Sequence, residues 1–176
     1  MTEDCWKNLN NSGLEAAAPT WELKVATEAD VESILAELSG HMNDQQRKAF
    51  RDKLERYARK PDRVLILAKQ DHLVLGYVCV IEEGAAPSDL TDEAAERLRS
   101  LAHGTQLFVH PDFRKQGIGS SLHLAVEKWA RDRGKTGFWM VTHRKAYWYA
   151  RDFGFEEICR IRAKGVEKIL MVKEFV

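Results

Sequence analysis

The segment TQLFVHPDFRKQGIGSSL, Thr105–Leu122, begins as an apolar, strand-like run and continues as a basic turn that contains two glycines. The turn leads into a predicted helix, whose first N–H groups have no internal acceptor and carry the positive end of the helix dipole. Gly117 and Gly119 allow a ligand to approach the backbone, while Arg114 and Lys115 add positive charge. We therefore predict an anion-binding junction that holds phosphate or pyrophosphate.

The glycine spacing does not by itself identify the phosphate ligand. The segment lacks the GxxxxGK[ST] pattern of a Walker loop, and Ser120, Ser121 and Leu122 leave the dinucleotide fingerprint GxGxxG incomplete. A well-capped strand-to-helix turn with solvated basic side chains is the alternative that these residues leave open.

Hydrophobic periodicity predicts the element order β, α, α, β, β, α, β, α, β, α, β, β over residues 21–176, after a flexible tail at residues 1–20. Strands are expected at 21–27, 63–69, 73–83, 105–110, 137–143, 156–162 and 167–176. Helices are expected between Thr27 and Gly40, over 44–60, from Thr91 through Ala102, from the glycine turn to Gly134, and over 144–153. The fold class is one mixed α/β (α+β) domain with a central sheet of about seven strands and flanking helices.

Composition excludes several classes of partner. Lys plus Arg and Asp plus Glu number 27 each, so no overall charge points to nucleic acid or to an anionic membrane. Three widely spaced cysteines suggest neither a disulfide framework nor a zinc site, and the histidine spacing predicts no metal. No apolar run approaches the ~20 residues of a membrane span, and no signal core is present. We expect a cytoplasmic protein without a nucleic-acid, membrane or metal partner.

The longer pattern VHPxxRxxGxG at positions 109–119 resembles the acyl-CoA-binding segment, [Q/R]xxGx[G/A], of the GCN5-related N-acetyltransferases (GNAT). Ala146 and Gly154-Phe155 match the spacing of that family's C-terminal signature, Axx[F/L]Yxx[L/F]GF, and the predicted element order resembles the family's course. The resemblance covers about residues 21–176. It implies a single-domain GNAT fold with a splayed fourth and fifth strand, acetyl-CoA as co-substrate and no metal.

The resemblance also implies a division of the junction into two binding regions. The main chain of Leu107, Phe108 and Val109 is expected to hold the pantetheine arm as an added strand would. The pyrophosphate is expected on the loop residues Arg114, Lys115, Gln116, Gly117, Ile118, Gly119 and Ser120. Family members bind acyl-CoA and amine together, so the enzyme positions the two, removes a proton from the ammonium and protonates the thiolate.

For the proton acceptor, the resemblance points to His103, because some relatives place a basic residue six positions before the residue equivalent to Val109. A histidine with a near-neutral pKa suits this task. The alternative is a loop histidine that caps the preceding helix. Glu82 and Glu83, at the end of the preceding strand, are the second candidates, or else solvent-facing charges.

The other histidines carry less weight. His110 belongs to the ordinary context of the motif, and His143 stands where relatives often have an asparagine that contacts the cofactor. The remaining ones, His41, His72 and His123, are interpreted as surface residues.

For the proton donor, the chain departs from the family pattern, because Ala150 occupies the expected tyrosine position while Ala146 keeps its place. Tyr149 lies one residue earlier, about 100° round a helix. Tyr147 lies one turn earlier on roughly the same face. Either tyrosine could protonate the thiolate or simply pack in the core, and solvent is the third option.

The acceptor implied by the resemblance is a small-molecule or peptide amine, contacted by residues 40–47 and by a long connection at 84–104. The connection carries acidic residues that would favour a cationic amine or form a solvated helix face: Asp89, Asp92, Glu93 and Glu96. Many relatives form dimers, which leaves a homodimer open. The rival interpretations are a longer acyl donor, a hydroxyl acceptor, a generic nucleotide binder, and an acyl-CoA sensor with little turnover, which the missing tyrosine favours.

Overall fold

The computed structural model describes residues 21–40, 42–143, 146–163 and 165–175, the last residue of the third range by its backbone alone. The tail predicted at residues 1–20 lies outside the described residues. The strands are β1 (Glu22–Val25), β2 (Arg63–Gln70), β3 (Leu73–Ile81), β4 (Leu101–Val109), β5 (Gly137–Thr142), β6 (Glu156–Ala163) and β7 (Val166–Glu174). The helices are α1 (Val31–Leu38), α2 (Asp44–Arg59), α3 (Asp92–Arg99), α4 (Ile118–Arg131) and α5 (Ala146–Phe153). The predicted element order is confirmed, and single 3-10 turns add to it at Glu28–Asp30 and Pro111–Phe113.

The seven strands form one mixed sheet in the order β1-β2-β3-β4-β5-β7-β6. Strand β4 runs parallel to β5, whereas β1 with β2, β5 with β7, and β6 with β7 are antiparallel. The parallel register joins Leu101–Gly104 to Gly137–Met140, in the first half of β4. The predicted fold class, a seven-stranded mixed sheet with flanking helices, is confirmed.

The chain divides into two compact units, and both β3 and β4 pass from one unit to the other. The first unit comprises the described residues up to Cys79 together with Leu107–Val126. Its strands β2 and β3 are apolar along nearly their whole length and are buried, as expected for strands covered on both faces. Buried side chains from α1, α2 and α4 complete this core: Val31, Ile34, Leu35, Leu54, Tyr57, Ile118, Leu122, Ala125 and Val126.

Helix α1 is preceded by a turn that one carboxylate holds in place. Asp30 accepts hydrogen bonds from the main-chain N–H and the hydroxyl of Thr27, both at 2.9 Å. The Nζ atoms of Lys24 and Lys69 lie 3.0 and 3.6 Å from the same carboxylate. Burial alone would raise the pKa of Asp30, but the bonds from Thr27 and Lys24 outweigh it and the net pKa is lowered.

The second unit comprises Val80–Gln106 and the described residues from Glu127 onward. Part of its core is a cluster of buried side chains contributed by α3, β4, β5 and β7: Leu98, Leu101, Trp139, Leu170 and Val172. The antiparallel pairing of β5 with β7 runs from Gly137–Glu174 to Thr142–Ile169 and places Trp139 opposite Val172. This unit therefore packs aliphatic side chains against the indole of Trp139.

One predicted boundary is wrong. Helix α3 ends at Arg99 rather than Ala102, and β4 begins at Leu101 rather than near Thr105. Leu98, Leu101 and Ala102 have the i, i+3, i+4 spacing of a helix face, which explains the error. In the structure Leu101 and Ala102 are instead buried by pairing with β5. Because β3 ends at Ile81, the connection between β3 and β4 spans residues 82–100 rather than 84–104.

Candidate functional site

The C-terminal end of β4 leads directly into the predicted anion-binding junction, in the first unit. The main-chain N–H of His110 donates to the oxygen of Leu75 at 2.8 Å, which fixes the end of β4 to β3. A 3-10 turn at Pro111–Phe113 follows, and α4 begins at Ile118. The strand, turn and helix predicted from the glycine pattern therefore occur in that order.

The loop between the 3-10 turn and α4 contains two residues in the left-handed region, Lys115 with φ of 63° and Gly117 with φ of 83°. Both are exposed, as are Arg114 and Gln116. A Cβ atom at position 117 would find nothing within 4 Å, so the requirement for glycine comes from the backbone conformation. The positive φ of Gly117 turns the chain into α4, and the absence of a side chain leaves the main chain of Gly117 uncovered.

The first intrahelical bond of α4 is made by the N–H of Ser121, which donates to the oxygen of Gly117 at 3.0 Å. The three preceding N–H groups, of Ile118, Gly119 and Ser120, belong to the first turn and have no intrahelical acceptor. They carry the positive end of the helix dipole. The first turn therefore presents hydrogen-bond donors and positive potential to an anion.

Arg114 connects the loop to the strand. Its Nε donates to the main-chain oxygen of Val109 at 3.1 Å, which leads the side chain back along the end of β4. A guanidinium has five N–H donors in a fixed plane, and this bond uses one of them. The side chain thus places a permanent positive charge between the end of β4 and the glycine turn.

The part of β4 predicted to hold a pantetheine arm is Leu107–Val109, which is half-buried. Strand β3 approaches it closely at Gly76, where a Cβ atom would lie 2.6 Å from the main-chain oxygen of Phe108. The ring of Phe108 stacks on Tyr77 with a centroid distance of 5.7 Å and an interplanar angle of 26°. Both contacts fix the position of this short stretch of main chain.

His103, the predicted proton acceptor, belongs to the second unit and lies within β4. The alternative of a loop histidine capping the preceding helix is therefore wrong. Its ring lies on the indole of Trp139 with centroids 3.6 Å apart and planes at 2°. Burial lowers the pKa of His103 to about 4, so the near-neutral pKa expected from the sequence is also wrong.

The second candidates for the proton acceptor, Glu82 and Glu83, follow β3. Glu83 is exposed and lies 3.6 Å from Nζ of Lys135, while Glu82 is half-buried and lies 3.7 Å from Nε of Arg133. Each carboxylate thus has a cationic neighbour within the second unit.

The two candidate tyrosines on α5 have opposite environments. Tyr149 is buried beside Trp148, Phe153 and Phe155, with ring centroids 4.8, 6.3 and 5.6 Å away, and burial raises its pKa to about 12. Tyr147 is 76% exposed. The guanidinium of Arg151 lies 5.6 Å from the centre of the Tyr147 ring.

Ala150, which stands at the family's tyrosine position, is exposed on α5. A tyrosine side chain at position 150 would therefore lie on the exposed face of α5, next in sequence to the buried Tyr149. The neighbouring Tyr149 is packed inward, whereas the exposed Tyr147 lies three residues before Ala150 on roughly the same face of α5.

Among the other histidines, the interpretation of His123 as a surface residue is wrong, because it is buried on α4 with an exposed fraction of 3%. His72 and His143 are exposed, and His41 lies outside the described residues. Within the described ranges, no three His, Cys, Asp or Glu side chains are grouped so as to hold a metal ion. None of the helices described is both long and apolar enough to cross a membrane.

Three residues of this region were not singled out from the sequence: Gly76, Gly84 and Trp139. The parallel pairing of β4 with β5 brings Trp139 beside His103, and only the register shows it. The two glycines lie in or just after an apolar strand, where an isolated glycine indicates a close approach of another group. The position of these glycines in the sequence therefore indicates a close approach but does not identify the group that approaches.

The mixed sheet and the strand, turn and helix junction define an α/β protein in which a glycine turn leads from a strand into a helix. The sequence matches the family described as "Acetyltransferase (GNAT) family" over residues 30–155, which is most of the chain. The chain therefore belongs to the GNAT acetyltransferase family. No curated protein matches the sequence at a significant level.

Solved structures share this fold at low sequence identity. An aminoglycoside 6'-N-acetyltransferase complexed with coenzyme A is 14% identical, with a TM-score of 0.67 over 86% of this chain and 96% of that chain. The PaiA N-acetyltransferase from Thermoplasma acidophilum in complex with coenzyme A is 15% identical, with a TM-score of 0.59 over 88% and 99%. A ribosomal-protein-alanine N-acetyltransferase from Brucella melitensis is 21% identical, with a TM-score of 0.62 over 87% and 99%.

Proposed function

We propose that this chain is an acyl-CoA-dependent N-acyltransferase that transfers the acetyl group of acetyl-CoA to a primary amine in a ternary complex. The observation that carries the proposal is the junction of β4 with α4, where exposed basic side chains and first-turn N–H groups come together in a GNAT family chain. Pyrophosphate suits this chemistry because it is anionic and accepts several hydrogen bonds.

The residues of the junction fit the pyrophosphate of coenzyme A. The space beside Gly117 is open, so a phosphate group can approach the main chain at this residue. We assign the pyrophosphate to the loop from Arg114 through Ser120. Arg114 and Lys115 supply the positive charge. We assign the pantetheine arm to the main chain of Leu107–Val109, which precedes the loop on the same strand.

Acetyl-CoA, when bound, supplies a thioester carbonyl for the amine to attack. We assign the removal of the amine proton to His103, with Glu83 as the second candidate. With a pKa of about 4, the imidazole is neutral at physiological pH and therefore able to accept a proton. The same low pKa makes the imidazole a weak base, which limits the rate at which it removes the amine proton.

We assign protonation of the leaving thiolate to Tyr149, with Tyr147 and solvent as the other candidates. Burial raises the pKa of the Tyr149 phenol to about 12, so the phenol is protonated at neutral pH but is a weaker acid than a free phenol. Tyr147 is exposed and competes with water for any hydrogen bond.

The proposed acceptor is a small-molecule or peptide amine. Aminoglycosides and ribosomal-protein alanine, named for two of the structural neighbours, are both amines of this kind. The acidic residues after β3 that would favour a cationic amine are exposed, and one of them, Glu96, pairs with Arg99. We further infer a cytoplasmic enzyme, and a homodimer remains a prediction from the family.

One specific observation favours a second candidate function, an acyl-CoA sensor with little turnover. The family's tyrosine position is occupied by Ala150, so the usual proton donor is replaced. A thiolate is a good leaving group, which is why we favour turnover over the sensor.

The proposal is tested with the full-length chain, acetyl-CoA and a panel of amines that includes an aminoglycoside, a polyamine, an arylalkylamine and an alanine-terminated peptide. We expect thiol release above the hydrolysis background with at least one amine. Tight acetyl-CoA binding by calorimetry without release on any amine supports the sensor. ATP that competes as strongly as coenzyme A supports a generic nucleotide binder, and faster release from longer acyl-CoA or with hydroxyl acceptors revises the donor or the acceptor.

A further inference from the structure

The imidazole of His103 is held in one plane by the indole of Trp139. The parallel register makes these two residues direct neighbours on β4 and β5. Their rings are stacked with centroids 3.6 Å apart and an interplanar angle of only 2°. Trp139 is itself 1% exposed within the aliphatic cluster of the second unit, so the surface on which the imidazole rests is rigid.

Gly84 closes another side of the same imidazole. A Cβ atom at position 84 would lie 2.3 Å from Nδ1 and 2.6 Å from Cγ of His103. Gly84 is not among the described glycines with positive φ, so no backbone requirement explains the absence of a side chain. The ring of His103 takes the space that a side chain at position 84 would fill.

Among the described residues, no hydrogen bond orients this ring through its buried nitrogen. Nδ1 of His103 is buried and has no hydrogen-bond partner among the described residues, and the same holds for Nε1 of Trp139. A histidine that works as a base usually has its orientation set by a hydrogen bond at the nitrogen that does not react. Here, packing between the indole and the bare α-carbon of Gly84 takes the place of that bond.

We propose that Trp139 is a positioning residue for His103. Together with Gly84 it holds the imidazole so that Nδ1 faces the protein and Nε2 faces the acceptor amine. This inference rests on the proposed function, in which His103 removes the amine proton. The lone pair of Nε2 accepts that proton, which requires the neutral ring to carry its own proton on Nδ1 when it reacts.

A substitution at position 84 tests the inference without disturbing the aliphatic cluster. Gly84→Ala places a methyl group against the imidazole, whereas the matched control, Gly104→Ala, meets nothing closer than 3.8 Å. We expect Gly84→Ala to lower kcat about tenfold while the KM for acetyl-CoA stays within about twofold. Gly104→Ala keeps both constants. Trp139→Phe keeps a flat ring under the imidazole, so its kcat is expected to fall less than that of Gly84→Ala.

Nitrogen-resolved NMR of the histidine side chains, recorded on the full-length chain, reads out the orientation independently of activity. We expect a single sharp ring signal for His103 in the natural sequence and in Gly104→Ala, and a shifted or averaged signal in Gly84→Ala. An unchanged signal together with an unchanged kcat in Gly84→Ala would overturn the inference. His103→Ala separates the role of His103 as the base from its positioning by Trp139 and Gly84. An unchanged kcat in His103→Ala overturns the base assignment whatever the NMR signal shows.

Discussion

Gly76 lies so close to Phe108 that a Cβ atom at position 76 would stand 2.6 Å from the main-chain oxygen of Phe108 and 3.2 Å from Cα of Val109. The close approach of β3 to the proposed pantetheine strand therefore depends on a missing side chain. We predict that Gly76→Ala displaces this main chain, lowers the free energy of unfolding by about 1–3 kcal/mol and weakens acetyl-CoA binding. Urea denaturation and calorimetry measure the two effects.

Gly40→Ala is the control for this prediction. Gly40 lies in the same unit as Gly76, and a Cβ atom at position 40 meets no described atom within 4 Å. It should leave both the unfolding free energy and the acetyl-CoA affinity close to those of the natural sequence. Equal affinities in Gly76→Ala and Gly40→Ala would show that the main chain of Phe108 takes no part in holding acetyl-CoA.

The glycine turn offers a sharper test of the pyrophosphate assignment. Gly117→Asp introduces a side chain and a negative charge beside the first turn of α4, where the proposed pyrophosphate lies. We predict that it weakens acetyl-CoA binding at least about 100-fold, because charge repulsion adds to the loss of close approach. Calorimetric titration with acetyl-CoA measures the affinity.

Gly134→Asp is a matched control for this test. Gly134 has a similar positive φ, 70° against 83° for Gly117, and a Cβ atom at either position meets nothing within 4 Å. The backbone strain of the two substitutions is therefore comparable, but Gly134 lies after the C-terminus of α4. If both variants lose affinity equally, strain rather than a pyrophosphate site is responsible.

The sequence was most informative where local chemistry determines structure. The glycines, the break at Pro111 and the helical stripe beginning at Ile118 predicted the strand, turn and helix of the junction in the observed order. Such features depend on backbone conformation and on periodicity, both of which are written in neighbouring residues. The same local pattern misled at Leu98 and Leu101, whose helical spacing continues across the start of β4.

The sequence was least informative where two distant segments meet. The stack of His103 on Trp139 depends on the parallel register of β4 with β5, which no local pattern specifies. The low pKa of His103 follows from that burial, whereas the sequence alone, which does not specify the neighbours, predicts a near-neutral value. His123 was misread for a similar reason, because its position on α4 is polar by type but faces inward.

Asp30 provides a prediction about stability. The Asp30 side chain is 6% exposed and accepts bonds from Thr27 and Lys24, which lower its pKa. We predict that Asp30→Asn lowers the free energy of unfolding by about 1–3 kcal/mol at pH 7. Since the folded pKa lies below the unfolded one, this stabilisation is present above about pH 4 and is lost as the pH falls through the folded pKa.

Urea denaturation of Asp30→Asn at pH 7, pH 5 and pH 3 should therefore show a difference from the natural sequence that shrinks toward low pH. Glu32→Gln is the control, because Glu32 is 66% exposed and its pairing with Arg51 is a surface contact. Such pairs contribute about 0–1 kcal/mol. A pH-independent effect of Asp30→Asn would contradict an ionised Asp30 in the folded state.

The two tyrosines of α5 predict different kinetic effects. We predict that Tyr149→Phe lowers kcat about 10- to 100-fold, because it removes the protonated phenol while keeping the ring that packs on Trp148 and Phe155. Tyr147→Phe, at a position 76% exposed, should change kcat less. Thiol release under saturating acetyl-CoA measures both. The reverse order would assign the proton donor to Tyr147, and two unaffected variants would assign it to solvent.

The buried imidazole of His103 makes the stability of the fold depend on pH. Burial lowers its pKa from 6.5 to about 4, so between these values the unfolded chain binds a proton that the folded chain does not. Stability is therefore fully present above about pH 6.5 and falls as the pH decreases toward 4, by up to about 3 kcal/mol. We predict that His103→Gln, which cannot titrate, loses less stability over this range than the natural sequence. Urea denaturation midpoints at pH 8, 6, 5 and 4 measure the difference in stability between the natural sequence and His103→Gln. The contributions of the other titrating groups are common to both proteins and cancel in this difference. A constant difference between the two proteins would mean that His103 charges freely in the folded state and that burial does not lower its pKa.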